Sequence, residues 1–211
     1  MSFTRRGIGH PSRPTPSIRL RGRRVALRPL VADDFAQWSE VRKHNSSWLL
    51  PWEPSRQPTS PDPAYDREAF ATRCMARDRD RQAGVSFAFG LCVNEAVVGE
   101  VNLNAVVRGA QQTGTIGYWI DRRFAGHSYV AEAVVVLAQF AFEELRLHRL
   151  EVCIVPRNDN SRRVMEKLQI REEGIAQRFL EIDGVWEDHV RYGFTVEEFA
   201  VRREELAAAW L

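Results

Sequence analysis

The residues best suited to chemistry lie in Ile116 to Ala133, IGYWIDRRFAGHSYVAEA. A strand ends at Ile120, and a short turn holding Gly126 leads into a helix. The first N–H groups of a helix lack partners and sit at the positive end of its dipole, so they can hold phosphate oxygens. Gly126 carries no side chain to keep a pyrophosphate off the backbone. Arg122, Arg123 and His127 could add charge there, or stand solvated around the turn. Glycine is common in strand-to-helix turns, so the segment needs the rest of the chain to give it meaning.

Other side chains invite the same question. Asn158, Asp159, Asn160 and Ser161 are all good helix caps. Glu100 is an acid on a central strand, able to take a proton or pair with a cation. Asn45 to Pro63 is irregular and holds five prolines. Segments that long are often functional, and Trp48 and Trp52 within it either cover the core or wall a ligand. His148 reads as a helix-end cation. Cys74, Cys92 and Cys153 are far apart and form no CxxC, which argues against a disulfide framework or a zinc site and suits a reducing cytoplasm.

The elements that must position these residues follow from pattern. Ile18 to Arg28 reads as one strand and Val31 to Arg42 as a helix with Phe35, Trp38 and Val41 on one face. Asp66 to Arg81 reads as a charged helix with Phe70 and Met75 inward. Val85 to Val93, Ala96 to Val106 and Thr113 to Ile120 alternate as three strands. Val130 to Leu147 has the strongest 3.6-residue period. Leu150 to Val155 reads as a short strand buried on both faces. A helix over 160–168, strands at 171–182 and 186–195 joined at Asp183-Gly184, and a helix over 197–210 complete the chain. The order implies an α+β (mixed α/β) fold: a mostly antiparallel twisted sheet of about seven strands, with helices on both faces.

Composition bounds the reading. The 211 residues are 44% hydrophobic, enough for one cored domain, with a formal net charge of +2. That balance demands neither nucleic acid nor a membrane. No apolar run approaches the ~20 residues that span a bilayer, and the charged N-terminus lacks a signal peptide's apolar region. Met1 to Ser17, rich in Arg, Pro and Ser, reads as a flexible basic arm that could make a weak ribosome or RNA contact. Residues 18–211 read as a single domain.

The segment Arg123, Phe124, Ala125, Gly126, His127 and Ser128 resembles motif A of the GNAT acetyltransferases, R/Q-x-x-G-x-G/A between a strand and a helix. The words IGYW and AEA beside it resemble the RimJ/RimL-like branch, which acetylates N-terminal amines of ribosomal proteins. VVGEVNL (97–103), VPRNDNSRRVMEKLQIREEG (155–174) and DHVRYGFTVEEF (188–199) are similar to further segments of that branch, in the same order. Four positions depart from the pattern. Ser128 stands for the second Gly or Ala, Met165 for a tyrosine acid, Thr115 for a glutamate base and Gln169 for a glycine.

The resemblance implies direct acetyl transfer from acetyl-CoA in a ternary complex. The pantetheine would lie between strands splayed at Thr113–Ile120 and Leu150–Val155, held by backbone near Tyr118, Trp119 and Ile120. N–H groups of Gly126, His127, Ser128, Tyr129 and Val130 would hold the pyrophosphate, with Arg123 beside them. Asn158 would bond the pantetheine and Ser161 would protonate the sulfur. Trp48, Trp52 and Tyr192 would wall the acceptor groove. Glu100 is the candidate base. An α-amine titrates near ~8 and a lysine amine near ~10.4, so a site without a strong base suits the former. Acids near the proposed site are few, mainly Glu100 and Glu53. The acceptor reading is therefore a protein N-terminus. A small amine such as a polyamine, amino sugar or antibiotic, and a non-enzymatic acetyl-CoA-binding module, are the alternatives. A cytoplasmic monomer or homodimer is expected.

Overall fold

A computed structural model describes residues 18–56 and 59–211. The basic arm expected over 1–17 lies outside the described residues. Among the described residues the strands form one sheet in the order β1-β2-β3-β4-β5-β6-β8-β7. The strands are β1 (Leu20–Arg21), β2 (Val25–Arg28), β3 (Phe87–Val93), β4 (Ala96–Val107), β5 (Thr113–Ile120), β6 (Arg149–Ile154), β7 (Arg171–Ile182) and β8 (Val185–Thr195). All neighbours are antiparallel except β5 and β6.

The sheet has eight strands rather than about seven because the expected first strand folds back on itself. Gly22 N–H donates to the Val25 carbonyl at 2.9 Å, and Leu20 pairs with Leu27. A Cβ on Gly22 would lie 2.9 Å from both Glu132 and Val136, so the hairpin's close approach to the neighbouring helix requires glycine.

That helix, α4 (Tyr129–Gln139), continues as a π-helical turn over Phe140–Glu144. Val130 to Ala138 are all buried, as in a helix enclosed on every side. It packs on β1, β2, β4 and β5, with α5 (Asp159–Lys167) and α6 (Val196–Trp210) against it. The other face carries α1 (Phe35–His44) and α3 (Arg67–Ala83), which bury Trp38, Phe70 and Cys74 over Cys92 and Val97. Met75, expected inward, is 61% exposed. Cys74 sits four residues after Phe70 and shares its face; Met75 is turned a further step around the helix. β6 alternates buried and half-buried side chains instead of burying both faces.

Two irregularities shape the site. A bulge near Leu91 and Cys92 leaves Val97 on the α1/α3 face and Val98 and Val101 on the α4 face. Glu100, between them, is thereby turned toward α1 and α3. The parallel β5–β6 pairing lasts only from Thr113 to Thr115 against Arg149 to Glu151. Beyond it β5 stays with β4 and β6 with β8, so the sheet opens into a wedge. No described helix is long and apolar enough to cross a membrane.

Candidate active site

The wedge opens into a cavity of about 510 Å³, within the range usual for small-molecule sites. β5 contributes Gly117, Tyr118, Trp119 and Ile120. The turn after it contributes Phe124 to Gly126 and Ser128, and α4 begins with Tyr129 and Val130 at the wall. The opposite edge of the wedge supplies Asn158 and Ser161. A short helix, α2 (Ser46–Leu49), and the turn after it place Trp48, Trp52 and Glu53 over the opening.

The turn before α4 is built to present N–H groups. Gly126 has φ +80° and Ser128 φ +65°, both left-handed, and a Cβ on Gly126 would meet nothing within 4 Å. Side chains brace the turn from behind. Asn45 Oδ1 accepts from Arg122 N–H at 2.9 Å, and Asp121 accepts from Arg123 N–H at 3.0 Å. The buried Glu132 carboxylate accepts from the Arg24 and Val25 N–H groups and, at 2.8 Å, from Arg24 Nε. Arg24 also donates to the His127 carbonyl at 3.1 Å. The opening hairpin is thus tied to the turn that would carry an anion.

Arg123 and His127, expected at the phosphates, do not line the cavity. The Arg123 guanidinium closes on Asp121 at 2.6 Å, and the His127 ring stacks on Tyr129 with Nδ1 3.0 Å from the Ala125 carbonyl oxygen. The cations at the wall are Arg163 and Lys167 on α5. The signal for them was in the sequence. Asn160, Arg163, Val164 and Lys167 recur at three- and four-residue steps, the spacing of one helix face. Lys167 Nζ donates to the Ser128 hydroxyl at 2.6 Å.

At the centre, Tyr118 Oη lies 2.9 Å from Ser161 Oγ and donates within reach of the Ser161 carbonyl at 3.2 Å. Burial pushes the Tyr118 phenol well above its usual range, against a smaller lowering by the Ser161 hydrogen bond. Tyr118 therefore stays protonated and remains a donor. Met165, at the position of the family's tyrosine acid, is fully buried in the core. Asn158 Oδ1 accepts from Ser161 N–H at 3.2 Å, capping α5.

Glu100, the expected base, does not line the cavity. It is fully buried and holds Trp38 Nε1 at 2.6 Å, Arg73 at 2.8 Å and Arg77 at 2.7 Å. Burial alone would raise its carboxyl. The charges of Arg73 and Arg77 outweigh that and hold it down at about 2, where it is a poor base at neutral pH. Tyr192, expected at the acceptor groove, is also buried away from it, its hydroxyl 3.3 Å from Arg162 Nε. Trp48 and Trp52 do line the opening, and Trp48 Nε1 donates to the Ile120 carbonyl at 3.2 Å.

The residues present fit acetyl-CoA. The open edge of β5 offers unpaired backbone to a pantetheine, the uncrowded Gly126 turn and two cations suit phosphates, and Asn102 Oδ1 is buried in the wall without a partner among the described residues. Among those residues no cluster of three His, Cys, Asp or Glu side chains could hold a metal.

Comparison with known proteins agrees with this geometry. Residues 24–171 match the acetyltransferase (GNAT) domain family. The chain is 33% identical over 172 residues to a probable N-acetyltransferase, YjcK, of Bacillus subtilis, covering 81% of this chain and 93% of that one. It is 27% identical over 190 residues to the ribosomal protein uS5-alanine N-acetyltransferase of Escherichia coli, covering 89% and 96%. Its fold matches Mycobacterium smegmatis RimJ, solved in complex with a CoA-disulfide, with a TM-score of 0.81, 30% identity and coverage of 92% and 94%. An eight-stranded sheet splayed beside a left-handed turn and a helix N-terminus, matched over most of its length, makes this chain a member of the GNAT acetyltransferase family, an acetyl-CoA-dependent N-acetyltransferase related to the ribosomal-protein enzymes.

Proposed function

We propose that this enzyme acetylates the N-terminal α-amine of a protein, a ribosomal protein being the leading candidate, by direct transfer in a ternary complex. The observation that carries this reading is the acid inventory of the cavity. Among the described lining residues there is one carboxylate, Glu53, and Arg42 holds it in a two-point pair at 2.6 and 2.7 Å. Glu100 is held ionised by its arginines. An α-amine titrates near ~8, so roughly a tenth is already neutral at pH 7, whereas a lysine or polyamine amine near ~10.4 would need a strong base. The relation to the uS5-alanine enzyme supports the same acceptor.

In this reading bound acetyl-CoA supplies the thioester acetyl group, and the chain supplies position and charge. N–H groups from Gly126 to Val130, with Lys167 and Arg163, bind the pyrophosphate. The β5 edge from Tyr118 to Ile120 and the Asn158 amide orient the pantetheine. Ser161 Oγ holds the proton that the leaving sulfur takes up, and Tyr118 fixes the Ser161 hydroxyl. A thiol titrates near ~8.5, so the demand on that proton donor is modest. Trp48 and Trp52 cover the acceptor and exclude water. The basic arm over 1–17 would meet the acidic surroundings of a ribosomal substrate.

The experiment is a paired panel with acetyl-CoA: peptides beginning with the first residues of ribosomal proteins, against polyamines and amino sugars. Peptide turnover well above that of every small amine supports the reading. Preference for a polyamine or amino sugar sinks it.

A further inference from the structure

Three tryptophans line the cavity around Glu53, and each carries an arginine on its face. Arg122 stands over Trp48 with 5.6 Å from guanidinium carbon to ring centre, Arg157 over Trp52 at 4.8 Å and Arg42 over Trp119 at 5.0 Å. Arg42 is paired with Glu53, and Arg157 with Glu187. Arg122 is exposed and has no carboxylate within ion-pair reach among the described residues. Three guanidinium groups thus face two carboxylates, and only Glu53 lies in the cavity wall.

The Glu53 carboxylate is fixed. Arg42 takes one N–H···O bond with each oxygen, and the Glu53 carbonyl accepts from Asp183 N–H at 3.0 Å, tying this loop to the β7–β8 turn. A carboxylate has about four acceptor sites, so two bonds to Arg42 leave room for an ammonium group.

We infer that Glu53, preorganised by Arg42, receives the ammonium group of the acceptor, and that Arg122, the one of the three arginines with no carboxylate partner among the described residues, disfavours an acceptor that carries further cationic groups. This rests on the acetyltransferase reading above and adds the acceptor anchor and its selectivity. The α-ammonium gains a charge-assisted bond to Glu53 on arrival, then loses its proton to water and attacks the thioester carbonyl as the neutral amine. The further ammonium groups of a polyamine gain no second carboxylate in the wall and approach the unpaired Arg122 charge behind Trp48, a repulsive element against the wrong substrate.

The test uses the full chain with saturating acetyl-CoA. The acceptors are a peptide with a free α-amine and uncharged side chains, and spermidine. Calorimetric acetyl-CoA affinity and thermal melting are measured on the wild type and every variant. Glu53→Gln is expected to raise the peptide KM at least about tenfold, the loss of one charge-assisted bond, with acetyl-CoA affinity within about twofold. Glu53→Asp recovers part of the KM. Arg122→Glu raises the spermidine-to-peptide ratio of kcat/KM at least about fivefold, because one repulsive charge becomes attractive. A Glu53→Gln enzyme with normal acetyl-CoA binding and an unshifted peptide KM overturns the anchor alone. A wild type that prefers spermidine removes the selectivity and, with it, the α-amine reading. Loss of acetyl-CoA binding by the wild type overturns the site reading as a whole, and the anchor with it.

Discussion

Lys167 Nζ lies 2.6 Å from the Ser128 hydroxyl, joining the last turn of α5 to the residue that opens α4. The pairing puts a cation beside the N–H groups proposed for the pyrophosphate and turns the serine side chain toward α5. Lys167→Met is expected to weaken acetyl-CoA binding about tenfold, the cost of one bond to a charged group. The wild-type affinity should fall as salt rises, and more steeply than that of the variant. Calorimetry at two ionic strengths checks both; equal affinities at low salt would remove Lys167 from the phosphate site.

Gln169 lies just past α5 with a φ of +50°. A side chain there is held in the left-handed region, which glycine enters without penalty. Gln169→Gly is expected to stabilise the protein by about 0.5–1 kcal/mol, after the extra backbone entropy of glycine is counted. Urea unfolding reads this directly, and a lower midpoint would show that the Gln169 side chain makes contacts worth more than the strain.

The parts of the site that lie close together along the chain were legible in the sequence. Gly126 between an alternating strand and a 3.6-residue pattern located the turn and α4, and Asn158 and Ser161 stood at a recognisable spacing. What could not be read depended on residues far apart in sequence. Glu100 could be read either as a base or as an ion-pair partner, because Trp38, Arg73 and Arg77 arrive from two helices and a bulge decides which face it takes. Arg123 and His127 looked like phosphate ligands by adjacency, yet their polar groups bond within the turn, to Asp121 and the Ala125 carbonyl. Glycine at position 22 marked the folded-back hairpin only once Glu132 and Val136 were seen against it.

Tyr118 Oη lies 2.9 Å from the Ser161 hydroxyl as well as 3.2 Å from the Ser161 carbonyl. If Ser161 holds the proton that the sulfur takes up, Tyr118→Phe and Ser161→Ala should each lower kcat by about 10²-fold, the lower end of general acid effects. Acetyl-CoA affinity should stay within about twofold, since neither change removes a phosphate contact. The double variant should lose little more than either single one, because the two act as a unit. Multiplying effects would show that the two hydroxyls work independently.

Glu100 sets a pH dependence of stability. Its carboxyl is held at about 2 in the folded protein against an ordinary 4.5. A depressed carboxyl stabilises the fold above its unfolded value and loses that stabilisation as pH falls toward the folded one. The window is therefore about pH 4.5 down to about 2, and the amount about 3 kcal/mol. Glu100→Gln leaves two half-buried guanidinium groups without their anion, which should cost about 3 kcal/mol at pH 7, the low end for a broken buried pair. Unfolding free energies of wild type and variant, measured from pH 7 to pH 3, should converge as the pH drops. A gap that stays constant would mean that the ion pairs contribute nothing to stability.

Asn158 has two proposed tasks that one substitution can separate. Its Oδ1 caps α5 by accepting from Ser161 N–H at 3.2 Å, and the residue also lines the cavity. Asn158→Asp keeps a capping oxygen beside the α5 N-terminus, so stability should change by less than about 0.5 kcal/mol. It removes the N–H donor and adds a negative charge toward the pantetheine, so acetyl-CoA affinity should fall about tenfold. Asn158→Ala should lose about 1 kcal/mol of stability through the missing cap as well as affinity. The pair of variants therefore splits along two axes, melting and binding. If Asn158→Asp melts and binds like wild type while Asn158→Ala loses only stability, the side chain is a helix cap and nothing more, and the pantetheine must be oriented by the β5 backbone alone.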